Sequence, residues 1–300
     1  MNLFKKFVSS PSYYLDKVVR KMVRILPNQL YLKWLFRLNV GYKLDLKHPQ
    51  SFNAKLQWLK LNDHKPIYID LVDKYEVKNI LAKKYGQDII IPTIGVYDTF
   101  DQINKNNLPD KFVMKVTHSS GGVLICHDKA AFDWDKAKEV IEKKLRSNLY
   151  YWGLEWPYKD CRPRIIIEQY MEHPSGDLKD YKLMCFNGEV KCSFICAERF
   201  TGKGLSLCFF DKEWNRLPFT RSHPMCEDEI LKPIKYNRMV ELSEDICKSF
   251  DIPFARVDFY EIEGQVYFGE ITFFPGCGFE AFQPEEWDYK LGALLKLPLD

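Results

Sequence analysis

Arg256-Val-Asp258, Glu270 and Thr272-Phe-Phe-Pro-Gly276 stand close together near the C-terminal end of the chain. Apolar alternation sets their spacing, with Phe254, Val257 and Phe259 in one run and Val266, Phe268 and Ile271 in the next. Two adjacent strands turning at Glu263-Gly264 would bring Asp258 near Glu270. Carboxylates that close repel unless a cation lies between them. A hard divalent ion shared with phosphate oxygens answers that repulsion, so the pattern points to Mg²⁺ and a nucleotide. Arg256 would aim a fixed cation at the same phosphates.

A second group of residues fits the same ligand. Lys115 ends an apolar run just before His118-Ser-Ser-Gly-Gly122. Backbone N–H groups in a loop such as Ser119-Ser120-Gly121-Gly122 can surround a polyphosphate, and the paired glycines permit close approach. The loop is not a P-loop, because it lacks the Gly-Lys-Ser/Thr ending. Residues 164–171 form an apolar run interrupted by Glu168 and loosening at Gln169-Tyr-Met171. Such a strand exit can offer a backbone donor and acceptor to adenine, with Glu168 accepting from the exocyclic amine. Asp180 and Lys182 open the next strand, where a carboxylate could meet ribose hydroxyls. Asp177 competes with Asp180 for that role.

These side chains need a frame of mixed strands and helices. Ser51 can cap a helix with Phe52, Leu56 and Leu59 inward. A further helix is expected over 70–85, stopped by Gly86. Strands are expected over 89–96, 112–116, 123–126 and 164–170. Asp133 starts a helix to about residue 148. Residues 181–198 read as a hairpin turning at Asn187-Gly188. A helix over 235–250 precedes the last hairpin, and another over 285–295 closes the chain. Strands and helices mix without regular βαβ alternation, so the fold class is α+β.

The bulk properties narrow the function classes. The chain has 300 residues, 46% apolar and 15% aromatic, enough for a real core. A net charge of +3 is close to neutral and no nucleic-acid-binding motif is present, so no nucleic acid partner is expected. The nine cysteines are scattered with no C-x-x-C pair, which reads as free thiols in a reducing compartment. No secretory signal and no membrane-span-length apolar stretch is seen, so the expected location is the cytoplasm. Residues 1–50 are locally basic with helical apolar spacing. They fit either amphipathic helices on the anionic inner face of a membrane or a helical pair packed on the main body.

Taken in order, these motifs resemble the ATP-grasp fold of carboxylate–amine ligases across residues 73–276. The likeness is carried by Asp73-Lys74, by Lys115 with Ser119-Ser-Gly-Gly122, and by Glu168-Gln-Tyr-Met171. Asp180, Arg256-Val-Asp258, Glu270-Ile-Thr272 and Pro275-Gly276 complete it. Within that group the chain looks most like the TupA-like branch, associated with teichuronopeptide and capsular polysaccharide assembly. Ser51-Phe-Asn-Ala-Lys-Leu-Gln-Trp-Leu-Lys60, Asp180-Tyr-Lys182, Leu217-Pro-Phe-Thr220, Phe268-Gly-Glu270 and Pro275-Gly-Cys-Gly-Phe279 carry the closer likeness. The family has Asn where this chain has Thr272, whose shorter reach favours one metal over two.

The resemblance implies a division into a basic helical region (1–50), an N-terminal α/β part (51–110), a small subdomain with the glycine-rich loop (111–172) and a large subdomain with the Mg site (173–300). It implies that ATP and Mg are used to phosphorylate a carboxylate, after which an amine displaces phosphate to give an amide. Lys74 and Lys115 would hold the α/β-phosphates, and Asp258, Glu270 and Thr272 would hold Mg. Arg256 would neutralise the transferring phosphoryl, while Lys182, Arg199, Lys203 and Arg221 are candidate binders of the substrate carboxylate. Trp152 and Trp156 could stack on a sugar. The expected partners are a uronic-acid-containing glycan or nucleotide-sugar precursor and an amine. Competing readings are a sugar phosphotransferase, a glycosyltransferase of capsule assembly, and a non-catalytic glycan-binding scaffold.

Overall fold

A computed structural model describes residues 18–174, 176, 178–197 and 205–298. Arg199, Lys203 and Asp177 therefore lie outside the described residues. In chain order the elements are α1 (Asn28–Asn39), α2 (Phe52–Asn62), α3 (Ile67–Val72), α4 (Glu76–Tyr85), β1 (Thr93–Tyr97), β2 (Phe112–Val116), β3 (Leu124–Cys126), α5 (Trp134–Leu145), α6 (Tyr150–Gly153) and β4 (Ile165–Gln169). There follow β5 (Asp180–Phe186), β6 (Glu189–Ala197), β7 (Ser206–Asp211), β8 (Thr220–Arg221), α7 (Tyr236–Ser249), β9 (Phe254–Ile262), β10 (Gln265–Thr272), β11 (Phe282–Gln283) and α8 (Glu286–Leu294).

Two antiparallel sheets frame the molecule. A four-stranded sheet runs β1-β4-β2-β3 and a five-stranded sheet runs β10-β9-β5-β6-β7. The division expected at residue 110 runs through the smaller sheet, because β1 pairs with β4. On that sheet Phe112, Met114, Ile165 and Ile167 pack with Ala137 and Ile141 of α5. In the larger sheet, residues 181–186 of β5 are buried without alternation, because both faces are covered. The α7 stripe Met239, Leu242 and Ile246 belongs to the core, as does Phe52 of α2, whose ring lies 5.6 Å from Phe186 and 4.8 Å from Phe254.

α2 is the bracket behind the last hairpin. Ser51 caps it by accepting from Ala54 N–H. The buried Asp288 carboxylate of α8 accepts from the Asn53 N–H at 2.8 Å and from Asn53 Nδ2 at 2.7 Å. Farther along, Gln57 Nε2 donates to the Gly278 carbonyl at 2.8 Å, and Lys60 Nζ donates to the Cys277 carbonyl at 2.6 Å and the Gly153 carbonyl at 2.7 Å. The Pro-Gly-Cys-Gly turn is thus fastened to α2.

Three departures from the sequence expectations have local causes. The helix expected over 70–85 is two helices, broken at residues 73–75. Asp73 turns extended and its Oδ1 accepts from the N–H groups of Tyr75 (2.8 Å) and Glu76 (3.1 Å), starting α4 afresh. The strand expected over 89–96 begins only at Thr93. Pro92 cannot donate to a ladder, and a short 3₁₀ turn at Gln87–Ile89 precedes it. β7, β8 and β11 were not anticipated; two of them are two residues long, too short for a periodicity signal.

Near the N-terminus, α1 turns Tyr31, Leu32, Leu35 and Phe36 into a cluster with Leu154, Cys277 and Phe279. Its Trp34 faces solvent. Among the described residues no helix is long and apolar enough to cross a membrane. The nine cysteines are free thiols.

Gly292 of α8 sits against the start of α2, where an added Cβ would lie 2.1 Å from the Gln50 carbonyl oxygen. Gly292→Ala should therefore lower stability by about 1–3 kcal/mol through overpacking, as urea unfolding would measure. A variant as stable as the wild type would contradict this packing.

Candidate active site

β9 and β10 pair so that Glu270 lies opposite Asp258 and Thr272 opposite Arg256. A bulge between Phe268 and Glu270 produces that register. Val266 and Phe268 face the core before it and Ile271 after it, so the inward parity changes at Gly269-Glu270. A Cβ on Gly269 would lie 3.1 Å from the Asp258 carbonyl oxygen. On the other side of β9, Lys182 of β5 stands opposite Asp258 and Asp180 opposite Tyr260.

The side chains interlock. Arg256 Nε donates to Asp258 Oδ1 at 2.7 Å, and Arg256 Nη2 donates to Asp258 Oδ2 at 2.7 Å and Glu270 Oε1 at 2.9 Å. The Asp258 contact is a bidentate fork, the strongest geometry for this pair. Lys182 Nζ donates to Asp258 Oδ2 and to Asp180 Oδ2, each at 2.5 Å. Lys182 is buried between those carboxylates rather than set in an open acceptor pocket, and their charges keep it an ammonium against the cost of burial. Lys74 Nζ donates to the Ser119 carbonyl at 2.9 Å and lies 3.5 Å from Glu270 Oε2.

The helix break at Asp73 aims Lys74 at this cluster. Lys74 N–H donates to the Thr117 carbonyl at 3.1 Å, and Arg164 holds Asp73 at 3.0 Å and Glu76 at 2.8 Å. Beyond Thr117 the loop carries Gly121 and Gly122, both left-handed with φ of 69° and 70°. Lys144 of α5 donates to the Ser120 carbonyl at 2.8 Å and covers Gly122. Ser119 is buried and its hydroxyl donates to the Ser120 carbonyl at 3.3 Å.

Glu168 sits at the end of β4 but does not face open space. It is buried and clasped by two lysines: Lys115 Nζ lies 2.6 Å from Oε2, and Lys78 of α4 pairs with Oε1. Burial pushes its carboxyl up, and the two ammonium groups outweigh that and hold it below its ordinary value. Both of its oxygens are thus engaged by ammonium groups. Gln169 is exposed and its N–H donates to the Pro92 carbonyl at 2.9 Å, while Met171 lies half-buried just past the strand. Sequence reading missed Lys78, although the spacing Lys74-x-x-x-Lys78 was a usable sign, and it missed Lys144.

Lys74, Lys78, Lys115, Lys182 and Arg256 thus meet Glu168, Asp180, Asp258 and Glu270, leaving an excess cation for an anion to occupy. Burial pushes the Glu270 carboxyl up, but Lys74, Arg256, Lys182 and Lys115 bring it down to about 2. The donor chemistry fits a hard cation. Asp258 and Glu270 are opposed carboxylates, each with lone pairs to share beyond Arg256, and the Thr272 hydroxyl lies 3.4 Å from Glu270 Oε1. Among the described residues no cluster of three or more His, Cys, Asp or Glu could cage a metal alone. Remaining ligands would have to be phosphate and water oxygens, the usual arrangement for Mg²⁺.

Other candidates fall elsewhere. Trp156 donates to the Asp63 carbonyl at 3.0 Å and packs on Tyr68, and Trp152 is overlaid by Arg20 at 3.9 Å. His118 is buried with Nε2 against the Ser147 carbonyl. Cys277 is buried, its thiol donates to Glu155 Oε1 at 2.7 Å, and burial pushes that thiol well up from its ordinary value.

Residues 54–296 match the family model for TupA-like ATP-grasp proteins. The chain belongs to the TupA-like ATP-grasp family. No curated protein matches it. Among solved structures it is similar to D-alanine–D-alanine ligase from Bacillus anthracis, at 20% identity over 67% of this chain and 56% of that one, with a TM-score of 0.40. The same ligase complexed with ATP matches at 18% over 67% and 54%, with a TM-score of 0.42. L-amino acid ligase from Bacillus licheniformis matches at 14% over 84% and 56%, with a TM-score of 0.45. This TupA-like chain spans just over half the length of each.

Because Glu270 is held below its unfolded value of about 4.5, it adds stability above that pH and loses it as pH falls toward about 2. Glu270→Gln should thus melt below the wild type at pH 7, with the gap closing as pH drops below about 4.5. Melting curves with a gap that does not shrink with acid would refute the assignment of charge at Glu270.

Proposed function

We propose that this chain is an ATP- and magnesium-dependent carboxylate–amine ligase. One observation carries the reading: Arg256 spans Asp258 and Glu270 beside the lysines and glycine-rich loop that a triphosphate requires. Lys74 and Lys115 are assigned to the α/β-phosphates, with the loop 119–122 over them. Gln169, Met171 and Asp180 are assigned to the nucleoside end; Asp180 Oδ1 is buried without a hydrogen-bond partner among the described residues. Asp258, Glu270 and Thr272 would hold Mg²⁺, which when bound supplies charge neutralisation to the β/γ-phosphates.

In this reading the substrate carboxylate oxygen attacks the γ-phosphorus and ADP leaves. Arg256 shifts its spare donors from Glu270 to the transferring phosphoryl and then to the acyl phosphate. The amine nitrogen attacks the acyl carbon, the C–O bond to phosphate breaks, and the amine gives up a proton. The protein supplies position and charge, with no nucleophile of its own. The acid is assigned to a uronic acid of a surface glycan or its nucleotide-sugar precursor, and the site of action to the cytoplasmic side of the membrane. What supports this is the family branch and the chain's likeness to it.

ADP release should be stimulated when ATP and Mg²⁺ are offered with a matched pair from a panel of uronic acids crossed with amino acids and amines. Asp258→Asn and Arg256→Met should each cut that release by about 10² while leaving the far-UV dichroism unchanged. Wild-type turnover in either variant would refute the site, and phosphate remaining on the acid-bearing acceptor would show a phosphotransferase instead.

A further inference from the structure

Arg221 lies outside the nucleotide cluster and is a buried guanidinium that the reaction above does not use. Its side chain is 5% exposed, and its Nη1 lies 3.1 Å from Glu280 Oε2, whose side chain is 28% exposed. Its Nε is buried without a hydrogen-bond partner, and Glu280 is its ion-pair partner among the described residues. Such a donor has lost its water without gaining an acceptor. β8, which bears Arg221, pairs with β11 at Phe282, two residues beyond Glu280.

The pair adjoins the reacting centre. The Arg221 guanidinium carbon lies 4.8 Å from the Phe194 ring centroid, and that of Arg256 lies 6.0 Å from the same centroid. Glu280 packs over Gly276, where an added Cβ would lie 2.3 Å from its carboxyl carbon. Gly276 lies in the Pro-Gly-Cys-Gly turn, four residues after Thr272. A second charged pair therefore stands beside the first, with a carboxylate reachable by solvent and a guanidinium whose Nε donor is unused among the described residues.

We infer that Arg221 and Glu280 form the amine subsite, and that the amine is an amino acid. This rests on the ligase reading. Glu280 takes the ammonium, and the Nε side of Arg221 takes the carboxylate. Opposite charges held side by side match a zwitterion whose own charges are one carbon apart. An amino sugar or simple amine brings only the cation and would leave Arg221 Nε as it stands. Arg221 is a specificity-determining residue here, and Glu280 the residue that orients the nitrogen.

The test uses full-length protein saturated with Mg·ADP, titrated with the proteinogenic amino acids and with ethanolamine and glucosamine, followed by saturation-transfer NMR. At least one amino acid should bind, and neither carboxylate-free amine should. Arg221→Lys and Glu280→Gln should weaken amino acid binding by about tenfold or more while Mg·ADP affinity stays unchanged. Glu280→Gln alters a part-exposed group, so it remains informative if the Arg221 variant does not fold. Mg·ADP binding with no amino acid binding would overturn the inference and spare the ligase reading, as would equal binding by ethanolamine or by either variant. No Mg·ADP binding at all would overturn both.

Discussion

The structure turns on a guanidinium laid across two opposed carboxylates. Desolvating each ion costs several kcal/mol, and only close pairing offsets it. Arg256 forks onto Asp258 and reaches Glu270, and Lys182 satisfies what Asp258 has left. Lys74 carries the network from Glu270 to the glycine-rich loop at Ser119. On the neighbouring sheet Glu168 gathers Lys78 and Lys115. The two sheets are therefore joined by charge. Arrangements of this kind contribute more to holding groups in place than to net stability.

The supports behind that network are hydrogen bonds and ion pairs that end largely on backbone groups. The Asp73 turn, the Arg164 bridge and the α2 bracket fix the backbone from which the charges project. α2 explains why Ser51–Lys60 and the Pro-Gly-Cys-Gly turn, distant in sequence, belong together. Asn53, Gln57 and Lys60 lie at three- and four-residue spacing, on one helical face, and all reach the C-terminal part of the chain.

What the sequence made legible was what local chemistry dictates. The turns at Asn187-Gly188 and Glu263-Gly264 set two hairpins of the large sheet and brought Asp258 near Glu270, while the bulge that seats them directly opposite left no mark in the alternation. What it hid was decided by tertiary contact. Lys78 looks like a surface lysine until Glu168 is folded over it, and Glu168 looks like an open acceptor until two ammonium groups close on it. The helix break at Asp73 was concealed because the residues on both sides keep helical spacing, while the deciding bonds come from a single carboxylate.

The bulge at Gly269 has a consequence for how this hairpin can vary. Upstream of it, facing is counted from the turn; downstream, it is counted one step out of phase. A lone residue gained or lost between Gly264 and Phe268, with the bulge kept, would hand the acidic side chain to the hydrophobic interior and bring an aromatic to the Arg256 face. Length can drift in that stretch only by twos, or at the turn and the bulge themselves. The same irregularity that seats the acid opposite its partner also locks the reading frame of the strand.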